Sequence, residues 1–499
     1  MRPSLLLASV LLLQTCGFWT AGCAANRGSP LDIDERAVKS RLYQDVAACP
    51  NSDAVHAMLV RETEAYAAQA DRLIAARSAL RQEAAKAAAV SDRGLPVPGA
   101  QVESLNRAFA EASAATRAVA VVAARHDPWH RRDAPSHDDG LRTFGTALSV
   151  AAALELYDSY LECGALVGAH PQVRKILDRG DAAYGTQGGE LDAVARDYLN
   201  LARRFRTHDA IAFLHDHGYQ VASGDEHLVF LRERIEHSPS ARTLRLHWLI
   251  PLGEFTGESV NLARNDLLRL RDAALGGASQ GFGNAVGAVQ FRRGLLHDNP
   301  DIEATLRARL QPGDILLEKT PFRLTDRFIP GHWGHVAVWL GSDSEVRTLL
   351  GDDPLLTPHL RRLASGAGVC EALRNGVQLN PLAHFLDIDD VAVLRCPSQD
   401  PAAQAEHLRR CLRQLGKAYD FNFDVETADR IVCSELVYQV YTAISWPTSK
   451  AMGRSTISPD HVAQRALTGG PLVVVELWHD GKRIDGDLTN AMAKLINPH

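Results

Sequence analysis

The chain has 499 residues, of which 46% are hydrophobic and 23% charged, and its formal net charge is −6. This length allows two or three domains with sizeable hydrophobic cores, and the composition is that of an ordinary globular protein. The slightly acidic balance gives no reason to expect a nucleic-acid partner, because binding to phosphates requires a basic face.

The N-terminus has the pattern of an export signal. A basic residue precedes the apolar run at 5–13, and the small residues of TAGC end at Cys23. This pattern predicts a signal peptide over residues 1–22, since the apolar stretch is too short to span a membrane. Small residues directly before Cys23 resemble a bacterial lipobox, so we expect lipidation of Cys23. The alternative is a plain signal peptide with an incidental cysteine, because Thr20 stands where leucine is commonest.

Lipid chains on Cys23 would attach the mature protein to a bilayer. Ala24, rather than an aspartate, follows that cysteine, which in a Gram-negative cell favours the outer membrane, facing the periplasm. The cysteines after residue 23 are scattered and have no metal-ligand spacing, and sequence alone does not give their disulfide state. They are Cys49, Cys163, Cys370, Cys396, Cys411 and Cys433.

Residues 23–300 are predicted to form a helical region. One helix is expected from about Asn51 to Val90, with apolar residues every seven positions, at Leu59, Tyr66, Leu73 and Leu80. GLPVPG at 94–99 ends it, and a partner helix follows with apolar residues at Val102, Leu105, Phe109 and Ala112. This spacing predicts a helical hairpin with a coiled-coil-like seam.

For three later stretches of this region we weigh a metal site, a membrane span and a phosphate loop against a structural role. HDPWHRRDAPSHDDG at 126–140 contains three histidines, but its prolines prevent a single helical face, so a solvated loop is predicted instead of a metal site. The apolar stretch at 146–161 carries two acidic residues, which favours a buried helix over a membrane span. The glycine-rich stretch at 276–296 lacks a following GKS or GKT and therefore is not a phosphate loop.

A second domain is expected over residues 301–499, where short apolar strands replace the helical pattern. Asn375-Gly376 is the turn signal of a hairpin at 368–380. Strands and helices are segregated along this part of the chain, so the predicted class is α+β. Further strands are predicted at 335–341, 390–396 and 471–478, and helices at 402–416 and 458–467.

Three polar residues of this domain fit one mechanism. Cys433 stands at a predicted helix start, where unpaired backbone N–H groups and the helix dipole favour a thiolate. His335 opens a strand and can act as base to a thiol. Glu371 lies in the apolar strand VCEAL, where it could accept the second ring N–H of His335 and fix the imidazole tautomer. Each residue alone is more often structural, and only the combination favours catalysis.

The order of these motifs resembles a known family. The chain contains, in order, GDILLEKTPFRLTDRFIPGHWGHVAVWLG, CEALRNGVQLNPLAHFLDIDDVAVLR and YDFNFDVETADRIVCSELVYQVY. These motifs closely resemble the circularly permuted papain-like cysteine hydrolases, within them the YiiX/YebB-like group, which are relatives of the NlpC-type cell-wall peptidases. In unpermuted relatives the cysteine helix precedes the histidine strand, whereas here the histidine strand comes first. The resemblance covers about residues 311–480.

By position, the resemblance implies Cys433 as the nucleophile, His335 as the catalytic histidine and Glu371 as the third polar residue. His332 is a rival base three residues earlier, but GHWG is typical of a loop. The Cys433 amide is a candidate oxyanion donor, and Tyr419 a candidate assistant to it.

Asp420 and Glu435 are interpreted as residues that cap or brace the helix. No metal or cofactor is expected for thiol acyl transfer.

The resemblance implies a cysteine amidase or peptidase of the cell envelope, with a peptide or acyl substrate such as a peptidoglycan stem peptide. The alternatives are a lipid-directed thioesterase, phospholipase or acyltransferase, and a non-catalytic peptide-binding scaffold. The NCEHF-type motif of lecithin retinol acyltransferase relatives is absent and CSELV stands in its place, which favours amide chemistry. The role of the helical region and the oligomeric state are left open by the sequence.

Overall fold

The computed structural model describes most of the chain after residue 32. The expected signal peptide at 1–22, the lipidation site at Cys23 and most of the glycine-rich stretch at 276–296 lie outside the described residues. The described ranges are 33–217, 225–246, 292–322, 331–397, 399–420, 430–451 and 454–497.

The chain divides into two compact units. The first unit comprises the described residues within Met1–Ala89, Ser104–Gly180 and Tyr184–Leu267. The second unit comprises those within Val90–Glu103, Asp181–Ala183 and Leu268–His499. A helical N-terminal region followed by a C-terminal domain with an antiparallel sheet and helices confirms the predicted fold class.

Helices form the first unit, in which the predicted hairpin is present. The heptad residues Leu59, Tyr66, Leu73 and Leu80 are all buried. Ion pairs join the two arms in antiparallel order, from Glu62 to Arg125 at 2.7 Å and from Arg72 to Glu111 at 2.9 Å. The helices up to residue 246 are α1 Glu35–Ala47, α2 Ser52–Ser91, α3 Gly99–His126, α4 Asp139–Ala169, α5 Pro171–Arg179, α6 Glu190–Tyr198, α7 Leu201–Asp216, α8 Glu226–His237 and α9 Pro239–Leu246.

The histidine-rich stretch after α3 is not the solvated loop that the sequence predicts. Asp127–His130 forms a turn of 3-10 helix. The His126 side chain is buried, lies 2.6 Å from Glu62 and accepts a hydrogen bond from the Trp129 indole. Burial in this network lowers the pKa of His126, although hydrogen bonding to the Glu62 carboxylate opposes that effect. Only His137 of the three histidines is exposed.

The apolar stretch at 146–161 lies within α4, whose residues are largely buried in the helical unit. This agrees with the prediction of a buried helix. Within the described part of the chain, no helix combines the length and apolar character needed to cross a membrane.

The second unit is built around a seven-stranded antiparallel sheet with the order β11-β10-β5-β1-β2-β3-β4. Its strands are β1 Asp314–Lys319, β2 His335–Trp339, β3 Val369–Leu373, β4 Gly376–Asn380, β5 Asp390–Arg395, β10 Val473–His479 and β11 Lys482–Arg483. Two small ribbons pair β6 Ala418–Tyr419 with β7 Arg430–Ile431, and β8 Ser449–Ala451 with β9 Arg454–Thr456. The helices are α10 Pro300–Arg307, α11 Asp343–Leu350, α12 Leu360–Ala364, α13 Leu382–Phe385, α14 Pro401–Gln414, α15 Cys433–Val440, α16 Pro459–Ala463 and α17 Leu488–Ile496.

Successive strand residues face opposite sides of the sheet and enter two different cores. Val336 and Val338 of β2 pack with Leu436 of α15 in the larger core. Ala337 and Trp339 pack in the smaller core on the other side. The alternating sequence of β2 is therefore explained by a sheet that is covered on both faces.

The GD motif before β1 has a structural role. The Arg395 guanidinium donates two hydrogen bonds of 2.7 Å to the Asp314 carboxylate, which is 1% exposed, and this pair ties β1 to β5. The Tyr441 hydroxyl donates to the carbonyl of Gly313. The motif thus fixes the beginning of β1 to both its neighbouring strand and the residue that follows α15.

The predicted hairpin is present, but its turn is shifted by one residue. Leu373 pairs with Gly376, so the two-residue turn is Arg374–Asn375 and not Asn375–Gly376. Gly376 has a φ of +109°, a conformation that favours glycine. This turn sets the register of β3 and β4, and that register places Glu371 and Asn380 on the same face of the sheet.

Two segments from earlier in the chain are also part of the second unit. Arg410 of α14 donates to the Glu103 carboxylate at 2.9 Å. Lys417 forms a buried ion pair of 2.8 Å with Asp181. The Tyr438 hydroxyl of α15 donates to the Val97 carbonyl at 3.1 Å. The packing of α15 therefore includes Val97, which lies more than 300 positions earlier.

Candidate active site

Cys433 is the first residue of α15 and follows directly after the short strand β7. The Glu435 carboxylate accepts the Val432 N–H at 2.8 Å, and the Ser434 hydroxyl donates to the Ile457 carbonyl at 2.7 Å. These contacts hold the helix start against its surroundings, and Glu435 has the bracing role that the sequence suggests. The thiol residue is only 6% exposed. The first turn of a helix favours an anion, so the location suits a thiolate.

His335 is the first residue of β2 and lies beside both Cys433 and Glu371. Its Nε2 atom is 3.0 Å from a Glu371 oxygen. The Cys433 side chain is also close enough to the ring to raise its pKa. Burial lowers the pKa of His335, but the charges of Cys433 and Glu318 and the hydrogen bonds to Cys433 and Glu371 outweigh it, so the pKa lies well above the usual value.

Glu371 is almost completely buried, at 2% exposure, yet it has three donors around it. Besides His335, the Asn380 amide donates at 2.7 Å and His384 lies at 3.5 Å. Burial raises the pKa of Glu371, and the hydrogen bonds from His335, His384 and Asn380 more than offset this, leaving it at about 2. The carboxylate is therefore ionised at neutral pH and holds the imidazole of His335 in place.

Asn380 and His384 were missed by sequence reasoning. Asn380 pairs with Val369 across the hairpin and therefore lies diagonally next to Glu371 on the same face. Once the turn is set at Arg374–Asn375, counting residues along both strands from that turn places Asn380 beside Glu371. His384 lies in the short helix α13, and the sequence around it does not indicate that it lies near Glu371.

His332, the rival base, hydrogen-bonds a different residue. Its Nε2 atom is 2.9 Å from an Asp390 oxygen, and its backbone N–H donates to Asp460 at 3.0 Å. GHWG forms a loop before β2, as expected. The histidine that hydrogen-bonds Glu371, and whose pKa the Cys433 side chain raises, is therefore His335.

Tyr419 also lies in the electrostatic environment of the thiol. Burial raises its pKa well above the usual value, and the negative charges of Cys433, Glu435 and Asp420 add to this effect. The hydroxyl therefore stays protonated and can donate a hydrogen bond. Residues 421–429, between Asp420 and β7, lie outside the described residues.

This arrangement has the parts of a thiol acyl-transfer site. It combines a thiol at a helix start, an imidazole whose pKa that cysteine raises, and a buried carboxylate that orients the imidazole. The donor atoms of Asn380 and His384 complete the surroundings of that carboxylate. Such a combination can generate a nucleophilic thiolate and deliver a proton to a leaving group.

Comparison with known families supports this chemistry. Residues 309–494 match the model of a family described as permuted papain-like amidase enzyme, YaeF/YiiX, C92 family. The second domain is thus similar to the family that its motifs indicate, and the similarity supports an amidase-type hydrolase. No curated protein and no solved structure matches the chain.

Proposed function

We propose that this protein is a cell-envelope cysteine amidase or peptidase that forms an acyl-enzyme on Cys433. The single observation that carries the proposal is the grouping of four polar side chains: the Cys433 side chain acts on the His335 imidazole, and the Glu371 carboxylate hydrogen-bonds His335 and Asn380. Burying neighbouring polar side chains costs free energy unless they are paired. Three of these four side chains are at buried or largely buried strand positions. A core would use apolar residues at these positions.

In the proposed reaction the Cys433 sulfur attacks the carbonyl carbon of an amide, and the electron pair of the C=O bond moves to oxygen. When the carbonyl re-forms, the C–N bond breaks and the amine leaves with the proton of the His335 imidazolium. A water then gives a proton to His335 and attacks the thioester, which releases the carboxylic acid and restores the thiolate. The Cys433 backbone N–H is the proposed oxyanion donor, with the Tyr419 hydroxyl as its assistant.

The cellular location is proposed from the N-terminal sequence. A signal peptide at 1–22 and lipidation of Cys23 would anchor the enzyme to the outer membrane, facing the periplasm. Peptides of the cell wall are the amide substrates found there. The similarity to an amidase family supports the same substrate class, and peptidoglycan stem peptides are the proposed target.

A second candidate function follows from the same N-terminal sequence. A lipid anchor at Cys23 would hold the enzyme next to acyl lipids, which are ester substrates for the same thiol chemistry. The proposed alternative is therefore a thioesterase, phospholipase or acyltransferase.

The test uses the full chain in detergent micelles, incubated separately with muropeptides and with diacyl phospholipids. Product release from muropeptides, together with an acyl mass on the Cys433 peptide, is the expected result. Cys433→Ala should abolish both signals, whereas the matched control Cys49→Ala, which removes a free thiol of the helical unit, should not. Acylation by phospholipid alone would favour the alternative, and no acylation in either case would favour a binding scaffold.

A further inference from the structure

A second polar cluster lies at the end of the sheet, outside the thiol site. Among the described residues, His332, Asp390 and His479 present one ligand atom each within 4.8 Å of one another. His332 comes from the loop before β2, Asp390 begins β5, and His479 ends β10. Three separate parts of the chain therefore converge on one point.

Strand register explains this convergence. Val391 of β5 pairs with Trp478 of β10, so Asp390 and His479 are the next pair along the ladder. Because side chains alternate, these two residues share a face with Ala392 and Leu477 of the larger core. The loop that carries His332 reaches the same face.

Both histidines contact one oxygen of the aspartate. The Oδ2 atom of Asp390 lies 2.9 Å from His332 Nε2 and 2.8 Å from His479 Nδ1. The other oxygen accepts the Asp480 N–H at 2.8 Å. One carboxylate oxygen and two imidazole nitrogens thus lie within 4.8 Å of one another, while the second oxygen is fixed by the backbone.

The surroundings hold these groups in position. The Asp460 carboxylate accepts the N–H groups of His332 at 3.0 Å and Trp333 at 2.8 Å, which fixes the loop. Asp390 is 2% exposed, and its second oxygen accepts the Asp480 N–H at 2.8 Å. A metal ligand of this type must be oriented by outer contacts, and these backbone contacts orient Asp390 and the loop of His332.

We propose that His332, Asp390 and His479 form a site for a divalent transition metal ion, zinc above all. Two imidazoles and one carboxylate are a ligand set that zinc uses, with the fourth position open to water. Ligands of a tetrahedral zinc ion lie roughly 3.4 Å apart. The two nitrogen–oxygen distances of 2.9 and 2.8 Å would therefore have to open by about half an ångström.

The site differs from the thiol site in its residues and its effect. The ion would replace the two ring protons that now lie between the histidines and Asp390. It would cross-link the ends of β5 and β10 to the loop that precedes the catalytic histidine. Its role is positional, because none of its three ligands hydrogen-bonds Cys433.

Cys433 and His335 could also capture zinc, so the test uses a chain that lacks this thiol. The full-length Cys433→Ala protein, treated with chelator and dialysed, is titrated with zinc chloride by calorimetry. One equivalent should bind. In the same background His479→Ala, whose side chain is 39% exposed and whose loss the fold tolerates best, should weaken binding at least about 100-fold. The matched control His215→Ala, an exposed histidine of the helical unit, should bind as before.

Cobalt substitution gives an independent measurement on the same proteins. Cobalt bound to nitrogen and oxygen ligands should give visible ligand-field absorption without a sulfur charge-transfer band, and His332→Ala should remove that absorption. The proposal is overturned if the Cys433→Ala protein binds no zinc, or if His479→Ala binds it with unchanged affinity. The three side chains are then a hydrogen-bonded cluster only. Because neither readout depends on substrate turnover, failure of the proposed hydrolase would leave this result unaffected.

Discussion

Replacing His335 by alanine tests whether the buried thiol is activated. In the intact site the nearby Cys433 and Glu318 charges keep the pKa of His335 well above its usual value despite burial. A cationic imidazole beside the thiol stabilises the thiolate. We therefore expect the intact protein to react with iodoacetamide at pH 6 at a rate within a few-fold of its rate at pH 8.5.

The size of the expected loss follows from thiol ionisation. A cysteine with an ordinary pKa of about 8.5 is roughly 0.3% thiolate at pH 6 and half thiolate at pH 8.5, a difference of about 150-fold. Replacing His335 by alanine removes the cationic imidazole that favours the thiolate. His335→Ala should therefore slow alkylation at pH 6 by about 100-fold and at pH 9.5 much less.

The assay follows alkylation of the Cys433 peptide by mass spectrometry in the full chain. Cys49, a partly exposed thiol of the helical unit, serves as the reference in every sample, and its profile should be the same in both proteins. Equal pH profiles for Cys433 with and without His335 would refute an activated pair. The thiol would then be a core residue at a helix start.

Three further predictions concern the contacts around this pair. Asn380→Ala leaves one Glu371 oxygen with only the more distant histidine donor and should lower the free energy of unfolding by about 1–2 kcal/mol in urea titrations. Glu371 stabilises the fold above its unfolded pKa of 4.5, so stability should fall as pH drops from there towards 2, and less so in Glu371→Gln. Gly331→Ala, at a φ of +105°, would place a methyl carbon 2.1 Å from the Asp460 carboxylate, and should lower both thermal stability and the rate of Cys433 alkylation at pH 6.

The main elements of the site could be predicted because their signals are local. Alternating apolar residues predict β2, and His335 stands at its first position. A carboxylate inside the apolar strand β3 predicts a partner for Glu371, and the structure supplies His335 at 3.0 Å. Ser458 and Pro459 predict the start of α16, where the serine side chain does accept a backbone N–H. In each case the residues that cause the local structure lie within one short stretch of sequence.

The remaining contacts depend on residues that are far apart in the chain. His126 is buried because Glu62, 64 positions earlier, lies on the opposite arm of the hairpin, and the proline-rich sequence around it gives no sign of that partner. Asn380 requires the register of a hairpin whose turn was misplaced by one residue. His479 meets Asp390 because β10 and β5 are neighbours in the sheet, and His332 reaches the same carboxylate from the loop before β2. Sequence periodicity carries no information about such pairings.

The loop before β2 is held by residues that lie outside the helix α15. Asp460 accepts the N–H groups of His332 and Trp333, and the carbonyl of Glu318 accepts that of Gly334 at 2.9 Å. Three successive amides before His335 are thus held by residues of α16 and β1, not by the helix that begins at Cys433. The histidine and the cysteine then meet through side-chain contacts between β2 and the helix that packs on it. Their chain order is free to change as long as the strand register and that packing are kept.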